Sequence, residues 1–155
     1  MIDADEGIRP GTTIGTLAAL KPAFSKDPAA TITAGSASPL SDGAAAVVVA
    51  SKAAAEAAGL SWIAEIGSHG QTAGPDGSLH SQPSRAIERA LKIEGLTIDD
   101  VDLIEINEAF ASVVLQSATD LGIDADRINA DGGAIAMGHP VGASGPVWSC
   151  IRHSR

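Results

Sequence analysis

Gly132-Gly133-Ala134-Ile135-Ala136-Met137-Gly138-His139-Pro140-Val141-Gly142-Ala143-Ser144-Gly145 is the stretch on which the reading of this chain turns. Five glycines and one proline surround a single histidine. Glycine loses more freedom on folding than any other residue, so a run this dense belongs where backbone bends sharply or approaches something closely. A phosphate-binding loop needs Lys and then Ser or Thr after its second glycine, whereas Gly133-x-x-x-x-Gly138 leads into His139 and Pro140. A dinucleotide fingerprint needs Gly-x-Gly, which the stretch lacks. The glycines therefore shape a pocket around a side chain that exchanges protons near neutral pH. On the residues alone, His139 reads either as a ring pinned by a backbone carbonyl or as a reachable proton carrier.

Working outward, the chain alternates strand-like and helix-like segments. Residues 1–30 are irregular, broken by Gly7, Pro10, Gly11, Gly15, Pro22 and Pro28, with a short helical turn expected over 17–24. Residues 44–50 form a small-apolar and Val run that predicts a strand buried on both faces. Ser51 is placed to cap a helix through Ala58, with Gly59 as its stop. A strand is expected over 62–66, then a helix from Ser81 to Gly95 carrying Pro83 in its first turn and Ile87, Ala90 and Leu91 on its apolar face. A strand over 101–106 is followed by a helix from Asn107, with Phe110, Val113, Val114 and Leu121 on one face, ending at Gly122. Ile128 opens a short strand into the glycine loop. The alternation predicts an α/β layered mixed sheet with helices on its faces.

Composition narrows the function classes. Of 155 residues, 45% are hydrophobic and 3% aromatic, so the core is built from Ala, Val, Ile and Leu. A net charge of −9 argues against nucleic acid, whose phosphates want clustered Lys and Arg. No apolar run reaches the roughly 20 residues that span a bilayer. The N-terminus reads as neither signal peptide nor anchor, and the single cysteine fits a reducing, cytoplasmic setting. His69, His80 and His153 lack ligand spacing with one another, so no metal site is expected.

Three ordered blocks carry a family resemblance: residues 33–46, with Ser36-Ala37-Ser38-Pro39-Leu40-Ser41-Asp42-Gly43 at their centre; Asn107-Glu108-Ala109-Phe110; and the glycine loop. Together they resemble the C-terminal half of a thiolase, most similar to the bacterial acetyl-CoA acetyltransferases. The resemblance runs over about the first 145 residues. It implies a thiolase-like fold, with residues 1–30 a connecting segment and 31–145 an incomplete C-terminal domain. It also implies acyltransfer on coenzyme A thioesters, by thiolytic cleavage or Claisen condensation, with acyl-CoA as substrate, no cofactor, and homo-oligomers in the full-length family.

The resemblance also assigns residues. His139 would help to activate a nucleophilic cysteine and donate a ring N–H to the thioester oxygen. Asn107 would hold a water that completes an oxyanion hole with His139, although an Asn at a strand-to-helix junction is equally a helix N-cap. Glu108 reads simply as an acidic residue favouring a helix N-terminus. Ser38, Leu40, Ala109 and Phe110 would line the pantetheine tunnel, Ser38 being otherwise a turn residue. Gly132, Gly133, Gly138, Pro140 and Gly142 would shape the loop.

Two departures matter. Asn129-Ala130-Asp131 stands where Asn-x-Asn is commoner, and Pro39 where Gly is frequent. Residues 146–155 hold the only cysteine, Cys150, and no acidic residue, and they read as an aberrant, frameshift-like tail. Cys150 lacks the Cys-x-Gly-Gly context of the family's second catalytic cysteine. The expectation is a thiolase fragment without either catalytic cysteine, inactive alone, with an acyl-CoA-binding module or a partner half as alternatives.

Overall fold

The computed structural model describes residues 3–4 and 7–147. Among them are six α-helices: α1 Ile14–Ala18, α2 Lys52–Ala57, α3 Gln82–Glu94, α4 Ala111–Leu121, α5 Ala134–Met137 and α6 Ser144–Val147. Short 3₁₀ turns occupy Ile98–Asp100 and Ala125–Arg127. Extended segments meet through isolated bridges, among them Ala37 with Phe110 and Pro22 with Thr33, antiparallel, and Leu40 with His139 and Ile104 with Ile128, parallel.

Local chemistry explains the helix limits. Ser51 Oγ accepts the Ala54 N–H at 3.2 Å and starts α2. Both long helices stop at a left-handed glycine, Gly95 and Gly122, each at φ 68. Beyond each glycine the chain bonds back to the helix, Leu96 N–H to Leu91 O at 2.9 Å and Ile123 N–H to Ala118 O at 3.1 Å.

The core lies under α4. Ile104, Ile106, Val113, Ala118 and Ile128 are buried, with Ile87, Ile98, Val101 and Phe110 packed around them. Buried Ser84 and Ser117 sit where α3 approaches α4. Ser84 Oγ donates to Asp120 Oδ2 at 2.8 Å, and Ser117 Oγ donates to the His80 carbonyl at 3.3 Å. Their hydroxyls need those partners, because a buried polar group left unbonded costs about 1–3 kcal/mol. The loop before α3 is strapped to it: Arg85 Nη1 and Gln82 Nε2 both donate to the Gly74 carbonyl, at 2.7 and 3.0 Å.

Four expectations need correction. Residues 44–50 form no strand or ladder, and Val48 is fully exposed rather than buried on both faces. Residues 62–66 likewise form no strand, with Ile63 and Ile66 exposed. A strand is stable only with neighbours that take its N–H and C=O groups, and among the described residues these segments pair no further than an isolated bridge at Glu65. Nor do the ends of the layered sheet at 101–106 and Ile128 extend beyond the single Ile104–Ile128 bridge. The early helix lies at 14–18, because Thr13 and Thr16 cap each other as a box, rather than over 17–24.

The helix expected from Asn107 begins instead at Ala111, with extended Phe110 in the capping position. Asn107 is therefore not a helix N-cap, and Glu108 is not in the first turn of α4. The glycine loop, in turn, contains a helical turn, α5, that its composition does not announce. The expected tail falls largely outside the described residues, Cys150 included.

Candidate active site

Asn107 and His139, 32 positions apart, come together. Asn107 Nδ2 lies 3.3 Å from His139 Nε2. On the other side of the ring, His139 Nδ1 lies 2.8 Å from Ser144 Oγ, whose own hydroxyl reaches the Pro140 carbonyl at 3.2 Å. These contacts are mutually consistent when Ser144 donates to Pro140, Nδ1–H donates to Ser144, and Nε2 accepts from the Asn107 amide. Asn107 Oδ1 is buried and has no hydrogen-bond partner among the described residues. A ring and an amide so placed present one polar face, of the kind that binds a carbonyl oxygen as it gains negative charge.

The segment containing Ser38 joins the two halves of this pair. Ala37 bridges Phe110 while Leu40 bridges His139, so residues 37–40 run between the Asn107 turn and the histidine loop. Ser38 N–H donates to the Ala109 carbonyl at 3.2 Å, and His139 N–H donates to the Pro39 carbonyl at 3.2 Å. Ser38 thus sits in an extended bridge rather than a turn. Phe110 stands edge-on to Phe24, with ring centroids 6.0 Å apart, and Leu40 is exposed.

The loop residues divide. Gly132 and Gly138 have φ of 93 and 99, which side-chain-bearing residues rarely adopt. Gly138 also lies against Ser41. Gly133 is extended, but a methyl there would overlap the Glu108 carboxylate. Pro140 packs on Gly43. At Gly142 an added methyl meets open space, so nothing in the structure requires glycine there.

Sequence reasoning missed Asn129 and misread Glu108. Asn129 is 8% exposed and holds φ 55. Its Oδ1 accepts the Ile106 N–H and its Nδ2 donates to the Ile106 carbonyl and to Glu108 Oε1, all at 2.8 Å. Glu108 Oε2 accepts the Ile135 N–H at 2.9 Å, so it caps α5 rather than α4. The one available signal was that Asn tolerates the left-handed region better than most residues. Behind this group, burial pushes the Glu105 carboxyl above its ordinary range, helped by the Asp131 and Glu108 carboxylates. His80 lies away from the loop histidine, its Nε2 3.0 Å from Ser112 Oγ. No three His, Cys, Asp or Glu among the described residues converge as metal ligands would.

Helices packed on extended segments, with an amide–imidazole pair where those segments meet, define an α/β protein with a polar site at that junction. The thiolase C-terminal domain matches residues 60–150, and the thiolase N-terminal domain matches residues 1–53. The chain belongs to the thiolase family. It is 62% identical to a probable acetyl-CoA acetyltransferase of Mycolicibacterium smegmatis, over 91% of this chain and 36% of that protein. Among solved structures, it resembles the Bacillus anthracis acetyl-CoA acetyltransferase with a TM-score of 0.84 and 38% identity, over 91% of this chain and 35% of that one. It resembles human mitochondrial 3-ketoacyl-CoA thiolase in complex with CoA with a TM-score of 0.84 and 43% identity, over 93% and 36%. The chain thus spans about a third of the length of the relatives it matches.

Proposed function

We propose that this chain carries the oxyanion-binding part of an acetyl-CoA C-acetyltransferase, acting in the thiolytic cleavage or Claisen condensation of acyl-CoA thioesters. The observation that carries the reading is the 3.3 Å approach of Asn107 Nδ2 to His139 Nε2 from two motifs far apart in sequence. When a nucleophile attacks a thioester, the carbonyl oxygen gains charge, and donors already aimed at it stabilise that state more than the ground state. In the unliganded arrangement Nε2 accepts from the Asn107 amide; with a proton on Nε2, His139 supplies a ring N–H to the oxygen, and a water held on the Asn107 amide supplies the other donor. The bound oxygen replaces the contact between the two side chains. Ser38, Leu40, Ala109 and Phe110 border the approach of the pantetheine arm, and no cofactor takes part.

Residues 1–149 hold no cysteine, so both catalytic cysteines must come from elsewhere and the 155-residue chain gives no turnover alone. The layered sheet belongs to the complete fold, where 44–50 and 62–66 find neighbours, in a cytoplasmic homo-oligomer. The exposed Val47, Val48 and Val49 favour a second reading, in which the chain is a half that completes a separately encoded remainder.

The test is calorimetric titration of acetyl-CoA into the chain and into Asn107→Ala and His139→Ala, with an acetoacetyl-CoA thiolysis assay alongside. Binding that weakens about tenfold or more in either variant, without turnover, supports the reading. Undiminished affinity in both variants, or turnover abolished by Cys150→Ser, sinks it.

A further inference from the structure

Both neighbours of Asn107 are tied to one buried amide. Asn129 takes the Ile106 N–H on Oδ1 and gives Nδ2 to the Ile106 carbonyl and to Glu108 Oε1. Its own N–H donates to the Ile104 carbonyl at 2.9 Å, fixing it to the strand segment that leads to Asn107. The residues before and after Asn107 therefore cannot shift independently of Asn129.

The same group reaches the other arm. Glu108 Oε2 accepts the Ile135 N–H, in the first turn of α5, which ends at Met137, two residues before His139. Gly133 lies so close to this carboxylate that a methyl group would collide with it. A backbone held at φ 55 in a side-chain-bearing residue persists only where its surroundings over-determine it. Here five hydrogen bonds of Asn129 do so, the fifth from the Gly132 N–H to its carbonyl at 2.9 Å. One continuous chain of bonds thus runs from the flanks of Asn107, through Asn129 and Glu108, to the loop bearing His139.

We propose that Asn129 and Glu108 are positioning residues that set the separation of Asn107 from His139. Neither contacts the thioester. They act by fixing where the amide and the ring stand, and small displacements of such groups weaken oxygen binding steeply. The inference deepens the oxyanion reading above and rests on it.

The experiment follows the His139 ring nitrogens by long-range ¹H–¹⁵N NMR in the full chain. Asn107→Ala supplies the Nε2 signal of a ring that has lost its amide partner. Asn129→Asp places a carboxylate oxygen against the Ile106 carbonyl and Glu108, and Glu108→Ala removes the link to Ile135. Both should move the His139 Nε2 signal at least halfway to its position in Asn107→Ala, while the His80 ring stays in place. Glu108→Gln keeps one acceptor and should give a smaller displacement.

General loss of stability would lower the melting point without displacing this signal in the folded chain. An unmoved His139 signal in both Asn129→Asp and Glu108→Ala overturns the proposal. Should those variants not fold, the unaltered chain decides. The Ile135 amide and the Asn129 side-chain amide should exchange at least about a hundredfold more slowly than amides of residues 42–50, and equal exchange overturns the proposal. Acetyl-CoA titration separates the two readings. Ring signals that respond to Glu108 in a chain that ignores acetyl-CoA remove only the oxyanion function. Bound acetyl-CoA with unresponsive signals removes only the positioning role.

Discussion

His139 Nδ1 and Ser144 Oγ stand 2.8 Å apart within one turn of chain, and Ser144 is 5% exposed. The serine hydroxyl has one proton, and the Pro140 carbonyl at 3.2 Å is placed to take it. That leaves its lone pairs for the imidazole and favours a proton on Nδ1. Ser144→Ala removes the acceptor and leaves an N–H facing apolar packing, at a cost of about 1–3 kcal/mol. The expected outcome is a lower melting temperature together with a move of the ring proton towards Nε2, read from the two ring nitrogen shifts. A variant that keeps the wild-type tautomer would show that Ser144 does not orient the ring.

Gly133 abuts Glu108 with no room for a methyl group. Gly133→Ala must push the carboxylate off Asn129 or the loop off Glu108, and forced overpacking of this kind costs about 1–3 kcal/mol. By contrast, Gly142→Ala adds a methyl to open space at ordinary backbone angles and should leave stability within about 0.5 kcal/mol of the parent. Urea melts of the two variants check the contrast. Equal stabilities would contradict the packing described around Glu108.

Glu105 carries a pH dependence whose sign follows from its surroundings. Burial, then Asp131 and Glu108, raise its carboxyl above the ordinary value, and its Oε2 lacks a partner among the described residues. An acid raised on folding is at no disadvantage below its unfolded value. It then weakens the fold as pH climbs through the interval up to the raised value. Glu105→Gln should therefore melt higher than the parent at pH 7, with the difference vanishing below about pH 4. An equal gain at both pH values would point to packing rather than charge.

Exposed Val47, Val48 and Val49 lie in a segment with no secondary structure, where apolar side chains and backbone are open to another chain. The 155-residue chain should self-associate at micromolar concentration, and Val48→Lys should reduce it. Light scattering on both proteins checks this. A monodisperse parent with a cooperative melt above ~65 °C, the upper end for mesophile domains, would show that the unit is self-sufficient.

Helices α2 and α3 and the end of α4 were legible in the sequence because their causes are local or strongly patterned. Ser51, Gly59, Gly95 and Gly122 mark helix ends through capping chemistry that depends on nearest neighbours. Asn107 and His139 were legible from their motifs. The expected strands at 44–50 and 62–66 failed because apolar composition reports a wish for burial, whereas a ladder needs partners that periodicity cannot supply. The start of α4 was misplaced for a related reason. Asn107 has the chemistry of a cap, but the long-range grip of Asn129 on Ile106 and Glu108 holds it out of the helix. Glu108 and Asn129 were missed as a pair because a contact across 21 positions leaves no trace in spacing.

Residues 42–50 are exposed throughout, and they stand between two parts that reach each other by other routes. A protease should nick the chain there first. Asn107, Asn129, His139 and Ser144 would remain together on one product, and Ser38 and Leu40 would remain on the other. The products would still be tied by the Ala37–Phe110 and Leu40–His139 bridges and by the hydrogen bond from His139 N–H to Pro39. The segment is thus a cleavable tether. Cutting it converts one polypeptide into a complementing pair, in which Asn107 and His139 stay assembled while the piece bearing Ser38 and Leu40 becomes a dissociable subunit.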